Sequence, residues 1–344
     1  MNQHRITTAG PLLDDRGGLV QAGFATEPLL AYRRDRVQAP PWRLKEWDYY
    51  QVSNDEYCAQ FTIGHAAYAG QVGVTFFRFA DGWRVDRAVT LPLPFGSLHM
   101  PETSAQGLTI HRGGVTIGFR VVPGASGELR RMLRCATKPT KTTPAIRAEI
   151  TLTDAAGQSV VMATPFHKHP EAFYYNHKIN GMPASGSIQI GADIFAFEPR
   201  TAFGLLDWGR GVWPFSTEWF WGSGSTWVDG VPFGWNIGRG FGDTSAATEN
   251  MLFYDGVAHK LSQVSFDENS PGYLDPKHFS SDDGRFEMDF VPLYDRVTRT
   301  KLAFVDNECH QVFGRFTGTA ILDDGREIHI RDVMAFAEHA VNNW

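Results

Sequence analysis

Apolar and polar residues alternate in short runs along most of the 344-residue chain. A period of two marks strands with one face buried. In the first half, Gln60–Gly64, Gln71–Phe79, Trp83–Thr90, Leu108–His111, Val115–Val122, Ala145–Thr153 and Ser159–Met162 carry this pattern. In the second half it returns at Ser187–Ile190, Ala192–Phe197, Met251–Tyr254, Lys260–Phe266, Phe286–Phe290, Thr300–Val305, Gln311–Leu322 and Glu327–Ile330. Five Asp-Gly dipeptides, beginning at 81, 229, 255, 283 and 324, fall between such runs. Asp-Gly tolerates the positive φ that a tight hairpin needs at both corners. Helical periodicity is scarce: only Val333–Val341 spaces its apolar residues like a helix, which predicts a short C-terminal one. The expected class is mainly β, as closed or sandwiched antiparallel sheets.

Residues 1–45 are rich in Gly, Pro and Arg and read as an extended lead-in. Pro165, Pro170, Gly181, Pro183 and Gly186 punctuate the middle of the chain and suggest a boundary near 170. Two units are expected, 1–170 and 171–344, the size of ordinary domains. A faint repeat agrees with this. Arg147 to His169 and Arg315 to His339 each run strand, Asp-containing turn, strand, then Phe-x-x-His.

A net charge of −6 and a pI near 6.1 argue against nucleic acid or an anionic membrane surface as partner. The content of 25 Phe and 10 Trp favours wide apolar burial or an apolar ligand. Cys58, Cys135 and Cys309 are odd in number and widely spaced, which suits a reducing compartment rather than a disulfide framework. Residues 1–10 lack an apolar leader pattern and no apolar run is long enough to span a bilayer, so a cytoplasmic protein without a stable membrane anchor is expected.

The aromatic content is concentrated in Phe203–Trp227, where Trp208, Trp213, Trp219, Trp221 and Trp227 stand among Asp207, Arg210 and Glu218. Buried charge is costly unless paired or used. The stretch therefore reads as the wall of a ligand pocket, or as an aromatic core with one structural Asp207–Arg210 pair. Three further blocks carry polar groups among glycines: Tyr174–Gly186 with His177 and Asn180, Gly234–Asn250 with Asn236, Glu249 and Asn250, and Phe336–His339. Gly238-Arg-Gly-Phe-Gly242 has neither the spacing nor the βαβ context of a dinucleotide loop. His167-x-His169 lacks a third ligand at a recognisable spacing, so no metal is expected. A Gly-x-Ser-x-Gly elbow is missing as well, and nucleophilic hydrolysis is not supported.

Taken together, Asp207-Trp-Gly-Arg-Gly-x-Trp-Pro, Asn180-Gly-Met-Pro-Ala-Ser-Gly, Asn236-x-Gly with Thr248-Glu-Asn250, Phe336-Ala-Glu-His with Trp344, and Lys45-Glu-Trp-Asp-Tyr-Tyr near the start resemble a microbial family. That family is catalogued as a domain of unknown function, number 2804, and the likeness spans nearly the whole chain. It is in turn distantly similar to two-domain lipocalin-like proteins: carotenoid 1,2-hydratase, tocopherol cyclase and certain Diels–Alderases. The resemblance implies two tandem lipocalin-like β-barrels and a pocket for a large apolar molecule. It transfers neither a reaction nor catalytic residues.

The charged residues must be read on their own chemistry. A carboxyl walled by indoles favours its neutral form and keeps a proton near neutral pH. Asp207 and Glu249 are the candidate acids, although Arg210 three residues on could hold Asp207 ionised. Glu249 has no evident cation beside it except Arg239 and is the better acid of the two; a structural acceptor for loop N–H groups is the alternative. His177 is the candidate relay or base, or a hydrogen-bonded loop histidine. Asn180, Arg210, Trp208, Trp213, Glu218, Trp219, Trp221, Asn236 and Asn250 are the candidate substrate contacts. The expected function is acid–base catalysis without a cofactor (hydration, cyclisation or isomerisation) on an isoprenoid-, polyketide- or lipid-like substrate. The alternative is a carrier that holds such a ligand unchanged.

Overall fold

The structure, a computed structural model, describes every residue except 1–2, 67–68, 126, 155–156, 168, 268–271, 303–304 and 344. Trp344, the tip of the turn after Asp154, Lys168 of the first Phe-x-x-His and part of the strand expected at 300–305 lie outside the described residues.

Apart from short bridging strands within residues 10–31, the first sheet runs β1 (Leu44–Ser53), β2 (Tyr57–His65), β3 (Ala69–Arg78), β4 (Arg84–Pro92), β5 (Leu108–Arg112), β6 (Val115–Pro123), β7 (Leu129–Thr137) and β8 (Ile146–Asp154). It continues through β9 (Val160–Phe166), β10 (His169–Ile190), β11 (Asp193–Phe197) and β12 (Phe203–Val212). The spatial order β4-β3-β2-β1-β12-β10-β8-β7-β6-β5 curls into a nearly closed barrel. Arg87 on β4 donates to the carbonyl of Gly113, in the turn after β5, at 3.0 Å, so the two edges approach one another.

The second sheet is a half-barrel: β13 (Ser216–Val228), β14 (Val231–Arg239), β15 (Met251–Tyr254), β16 (Val257–Lys260), β17 (Val264–Ser265), β18 (Lys277–Ser281), β19 (Phe286–Leu302), β20 (Val305–Ile321) and β21 (Glu327–Asn343). Its order is β16-β15-β14-β13-β21-β20-β19-β18-β17. Asp229-Gly230 and Asp255-Gly256 form the hairpin corners, with φ positive at both residues of each pair.

Three expectations change. The chain passes from one sheet to the other between Val212 and Ser216, well beyond the boundary expected near 170, and β10 lies in the middle of the first sheet. The block Tyr174–Gly186 is a strand rather than a loop, kinked where Gly181 takes φ +68° and the register with β12 slips between Ile179 and Met182. The C-terminal helix is not present either: Val333–Val341 belongs to β21. That strand is buried on both faces, with Met334 and Phe336 on one side and Ala335 and Ala337 on the other, so period-2 contrast disappears from its sequence.

Both barrel interiors are filled. Phe61, Ile63, Tyr175, Leu206 and Trp208 pack within the first, and Phe233, Trp235, Phe279, Phe290 and Phe316 within the second. Residues 1–45 also contribute: Leu12, Leu30 and Tyr32 pack into the first core, Tyr32 edge-on to Trp208 at 6.4 Å. The outer face of β10, β12 and β1 meets the outer face of β13, β14 and β21, and this seam carries the polar groups.

Candidate functional site

Strand parity decides which side chains reach the seam. On β12, Leu205 and Asp207 face the second sheet, whereas Leu206, Trp208 and Arg210 face the core of the first barrel. Asp207 and Arg210 are three residues apart in a strand and so lie on opposite faces; the pairing expected between them does not form. Arg210 instead donates to Asp48 Oδ1 at 2.8 Å and to the carbonyls of Trp47 and Pro101, and lies 3.7 Å from Glu46. Trp208 receives its guanidinium 4.1 Å above the ring. Both are buried in the core of the first barrel, away from the seam. The aromatic stretch is thus no single wall: alternation divides it between barrel interior and seam.

His177 is also turned away from the acids. It faces the first barrel, its ring held by Ser104 Oγ at 2.6 Å and Ser159 Oγ at 2.9 Å. Burial, reinforced by the Arg131 charge, pushes its pKa down to about 3. A neutral imidazole fits two hydroxyls, one accepting and one donating. The relay role has no geometric support. Glu218 points off the seam to pair with His339 Nε2 at 2.8 Å, and its side chain is mostly exposed.

The seam assembles around Lys178 and Asp207, which are direct cross-strand partners. Lys178 Nζ donates to Glu249 Oε2 at 2.5 Å and lies 4.3 Å over the Trp221 ring. The expectation that Glu249 lacks a nearby cation other than Arg239 is corrected by Lys178, which comes from the other sheet. Trp221 Nε1 donates to Asn236 Oδ1 at 2.8 Å, and Asn236 Nδ2 donates to Glu249 at 2.9 Å (backbone O) and 3.2 Å (Oε2). Asn180 Nδ2 donates to Ser223 Oγ across the seam at 2.6 Å. Asn250 works one layer behind, accepting from Gly238 N–H at 2.7 Å and donating to the Ser262 carbonyl at 2.7 Å. It fixes the segment that carries Glu249.

Asp207 Oδ2 accepts from Trp47 Nε1 at 3.0 Å, and its buried Oδ1 has no hydrogen-bond partner among the described residues. Desolvation raises its pKa, with Lys178 and the Trp47 bond opposing and Glu249 adding to the rise. A second carboxyl, Glu338, expected from the sequence only to brace the second barrel, faces it from the other sheet. Glu338 accepts from Trp219 Nε1 at 2.9 Å and from Gln311 Nε2 at 3.1 Å. Its pKa is raised by burial first, and the Asp207 charge adds to this. Gln311 is itself tied across the seam by Gln60, which donates to its Oε1 at 2.6 Å. The signal was present: Glu338 shares strand parity with Met334 and Phe336.

Of the expected site residues, the seam therefore gathers Asp207, Glu249, Asn180, Asn236, Trp213, Trp219 and Trp221. To these it adds Lys178, Glu338, Trp47 and Tyr174. At one end, Trp47 stacks on Tyr174 at 5.6 Å and meets Trp213 edge-on at 5.2 Å. A cleft of about 640 Å³ opens beside that end, lined by Phe166, Ser216, Glu218, Gly240 and Gly242 among others. A smaller one of about 270 Å³ opens at the other end, where Gln51, Leu205, Ser223 and Met334 meet. The acids lie between the two. Among the described residues, no group of three or more His, Cys, Asp or Glu is arranged to hold a metal, and His167 pairs with Asp243 at 2.8 Å on the surface. No helix among them is long and apolar enough to cross a membrane.

The fold is shared with solved structures. Kievitone hydratase from Nectria haematococca superposes with a TM-score of 0.53 at 9% identity, over 87% of this chain and 88% of that one. An AttH-type protein from Nitrosomonas europaea gives a TM-score of 0.50 at 15% identity, over 92% and 98%. CghA covers 98% of this chain and 97% of its own at 9% identity, with a TM-score of 0.40. The first two likenesses establish a lipocalin-like architecture, here a nearly closed barrel and a half-barrel. No curated protein matches the sequence. A family profile does match, over residues 3–344, and the chain accordingly belongs to the family described as Domain of unknown function (DUF2804).

Proposed function

We propose that the seam is an acid–base catalytic site for a large apolar substrate, of isoprenoid, polyketide or lipid-like character, and that it hydrates, cyclises or isomerises it. The observation that carries this reading is the pair of buried carboxyls, Asp207 and Glu338, on opposing sheets, each raised in pKa and each held by an indole N–H. Three carboxyls meet Lys178 there, and a carboxyl out of water keeps its proton more readily than it keeps its charge. Kievitone hydratase, which shares the fold, is by name a hydratase.

In this reading Asp207 is the proton donor, since its Oδ1 has no other partner to satisfy. The proton moves from Asp207 to an alkene carbon or carbonyl oxygen, and positive charge develops on the substrate. Trp47 and Trp219, whose N–H groups hold the two acids, stand beside that charge, and an indole face can steady a cation by about 0.5–2 kcal/mol. Hydration follows when water adds to the cation and returns a proton to the Asp207 carboxylate. Loss of a neighbouring C–H proton to the same carboxylate gives isomerisation; attack by an internal alkene forms a ring and a new cation, which loses a C–H proton to that carboxylate to complete cyclisation. The Lys178–Glu249 pair keeps one charge of each sign beside the site, so Glu249 is the poorer donor. Free Cys58, Cys135 and Cys309 support a reducing compartment such as the cytoplasm.

The test is incubation of the full chain with a cell lipid extract, followed by mass spectrometry. A new species differing from its precursor by one water, or by chromatographic mobility at equal mass, is expected with wild type and lost with Asp207→Asn. Recovery of unchanged ligand from both proteins would establish a carrier instead.

A further inference from the structure

Phe241 sits inside a cage of four aromatic rings. Its centroid lies 4.7 Å from Tyr174, 5.1 Å from Trp219, 5.4 Å from Trp213 and 5.5 Å from Phe166. All four meet it close to edge-on, at interplanar angles of 90°, 77°, 73° and 86° respectively. Edge-to-face contact matches the positive rim of one ring to the negative face of another. An aliphatic group of equal size would fill the same volume without that match. The cage is therefore shaped for a planar aromatic ring.

The ring that fills it is carried on a turn, not on a strand. Phe241 follows β14 between Gly240 at φ +95° and Gly242 at φ +83°, left-handed positions that suit glycine. The turn lines the cleft of about 640 Å³ on its outer side. Inward, two cage residues or their neighbours reach the acids. Trp219 donates its N–H to Glu338, and Trp47, stacked on Tyr174, donates its own to Asp207. The Phe241 ring thus stands between an open cleft and the two indoles that hold the buried carboxyls Asp207 and Glu338.

We infer that the cage is the aromatic subsite of the seam, and that Phe241 occupies it until a planar ring of the substrate displaces it. This rests on reading the seam as a catalytic site, but it is decided by binding alone. The probes are p-cresol and 4-methylcyclohexanol, matched in outline and differing in the π system, titrated into the full chain by ligand-observed NMR. Phe241→Ala is expected to bind p-cresol at least about tenfold more tightly than wild type, equivalent to about 1.4 kcal/mol, and to show no such gain for 4-methylcyclohexanol. A folded Phe241→Ala protein, with wild-type circular dichroism and a cooperative melt, overturns the inference if it shows no gain for p-cresol or an equal gain for both probes.

Should Phe241→Ala not fold, Gly242→Ala takes its place. A Cβ there would meet Thr164 Cγ2 at 2.6 Å and the Pro165 carbonyl at 2.9 Å, which forces the turn outward with Phe241 intact. The same selective gain is expected, and its absence is equally decisive. Loss of product formation in Asp207→Asn bears on the chemistry, and p-cresol binding bears on the cage, so either can fail alone.

Discussion

His177 gives the sharpest test of how strand parity distributes roles in this fold. The ring is buried against the first barrel between Ser104 and Ser159, and its pKa falls to about 3 from an ordinary 6.5. As pH falls through 6.5 the unfolded chain takes up a proton on this ring, whereas the native protein does so only near 3. Native stability contributed by the neutral ring is therefore whole above 6.5 and is lost as pH falls towards 3. Each pH unit well inside that window is worth about 1.4 kcal/mol, so the loss between pH 7 and pH 5 is about 2 kcal/mol. His65, lowered to about 4 chiefly by burial, adds a loss of the same sign. His177→Gln keeps a donor and an acceptor for the two hydroxyls but cannot titrate. Urea unfolding of both proteins at pH 7, 6 and 5 should show wild type losing about 2 kcal/mol more than the variant across that range. Parallel losses would refute the reasoning, because they would mean that His177 takes its proton in the native state, as a relay must.

Four other substitutions test the seam. Lys178→Met strands the Glu249 carboxylate that now lies 2.5 Å from Nζ, and should cost about 3–5 kcal/mol. Adding Glu249→Gln should recover most of that loss in a thermal-melt double-mutant cycle. With Asp207→Asn the variant should gain on wild type as pH rises above the ordinary aspartate value of about 4. The raised carboxyl favours the protonated native state, so wild type loses stability as pH climbs above that value. Melting temperatures at several pH values check this, and product formation should fall at least about 100-fold. Gly209→Ala would place a Cβ 2.4 Å from the Trp47 ring, costing about 1–3 kcal/mol and pushing the indole off Asp207. A shift in tryptophan fluorescence reads that movement directly.

Strands with one wet face were legible in the sequence, because alternation survives there and Asp-Gly marks their ends. The strands nearest the seam were not. Residues of β21 and β12 are apolar or buried on both sides, and a run such as Val333–Val341 then matches a helical spacing as well as a strand. The same ambiguity hid the site. Once Phe203–Val212 is taken as a strand, parity alone separates Asp207 from Arg210 and Trp208. Likewise it aligns Glu338 with Phe336, facing the other sheet. What parity cannot supply is the contact between Lys178 and Glu249. Those residues are 71 positions apart, on elements of different sheets, and nothing local in either sequence announces the pair.

The pieces of the seam come from widely separated parts of the chain: Trp47 from the first strand of the barrel, Asp207 from its last, Glu338 from the closing strand of the half-barrel. During synthesis the nearly closed barrel can form before β13 has left the ribosome, leaving Asp207 bathed in water as an ordinary ionised aspartate. Only when β21 inserts between β13 and β20 does its surroundings dry out and its proton become worth keeping. The raised pKa of Asp207 is thus a property of the two docked sheets together, not of the barrel that carries the residue.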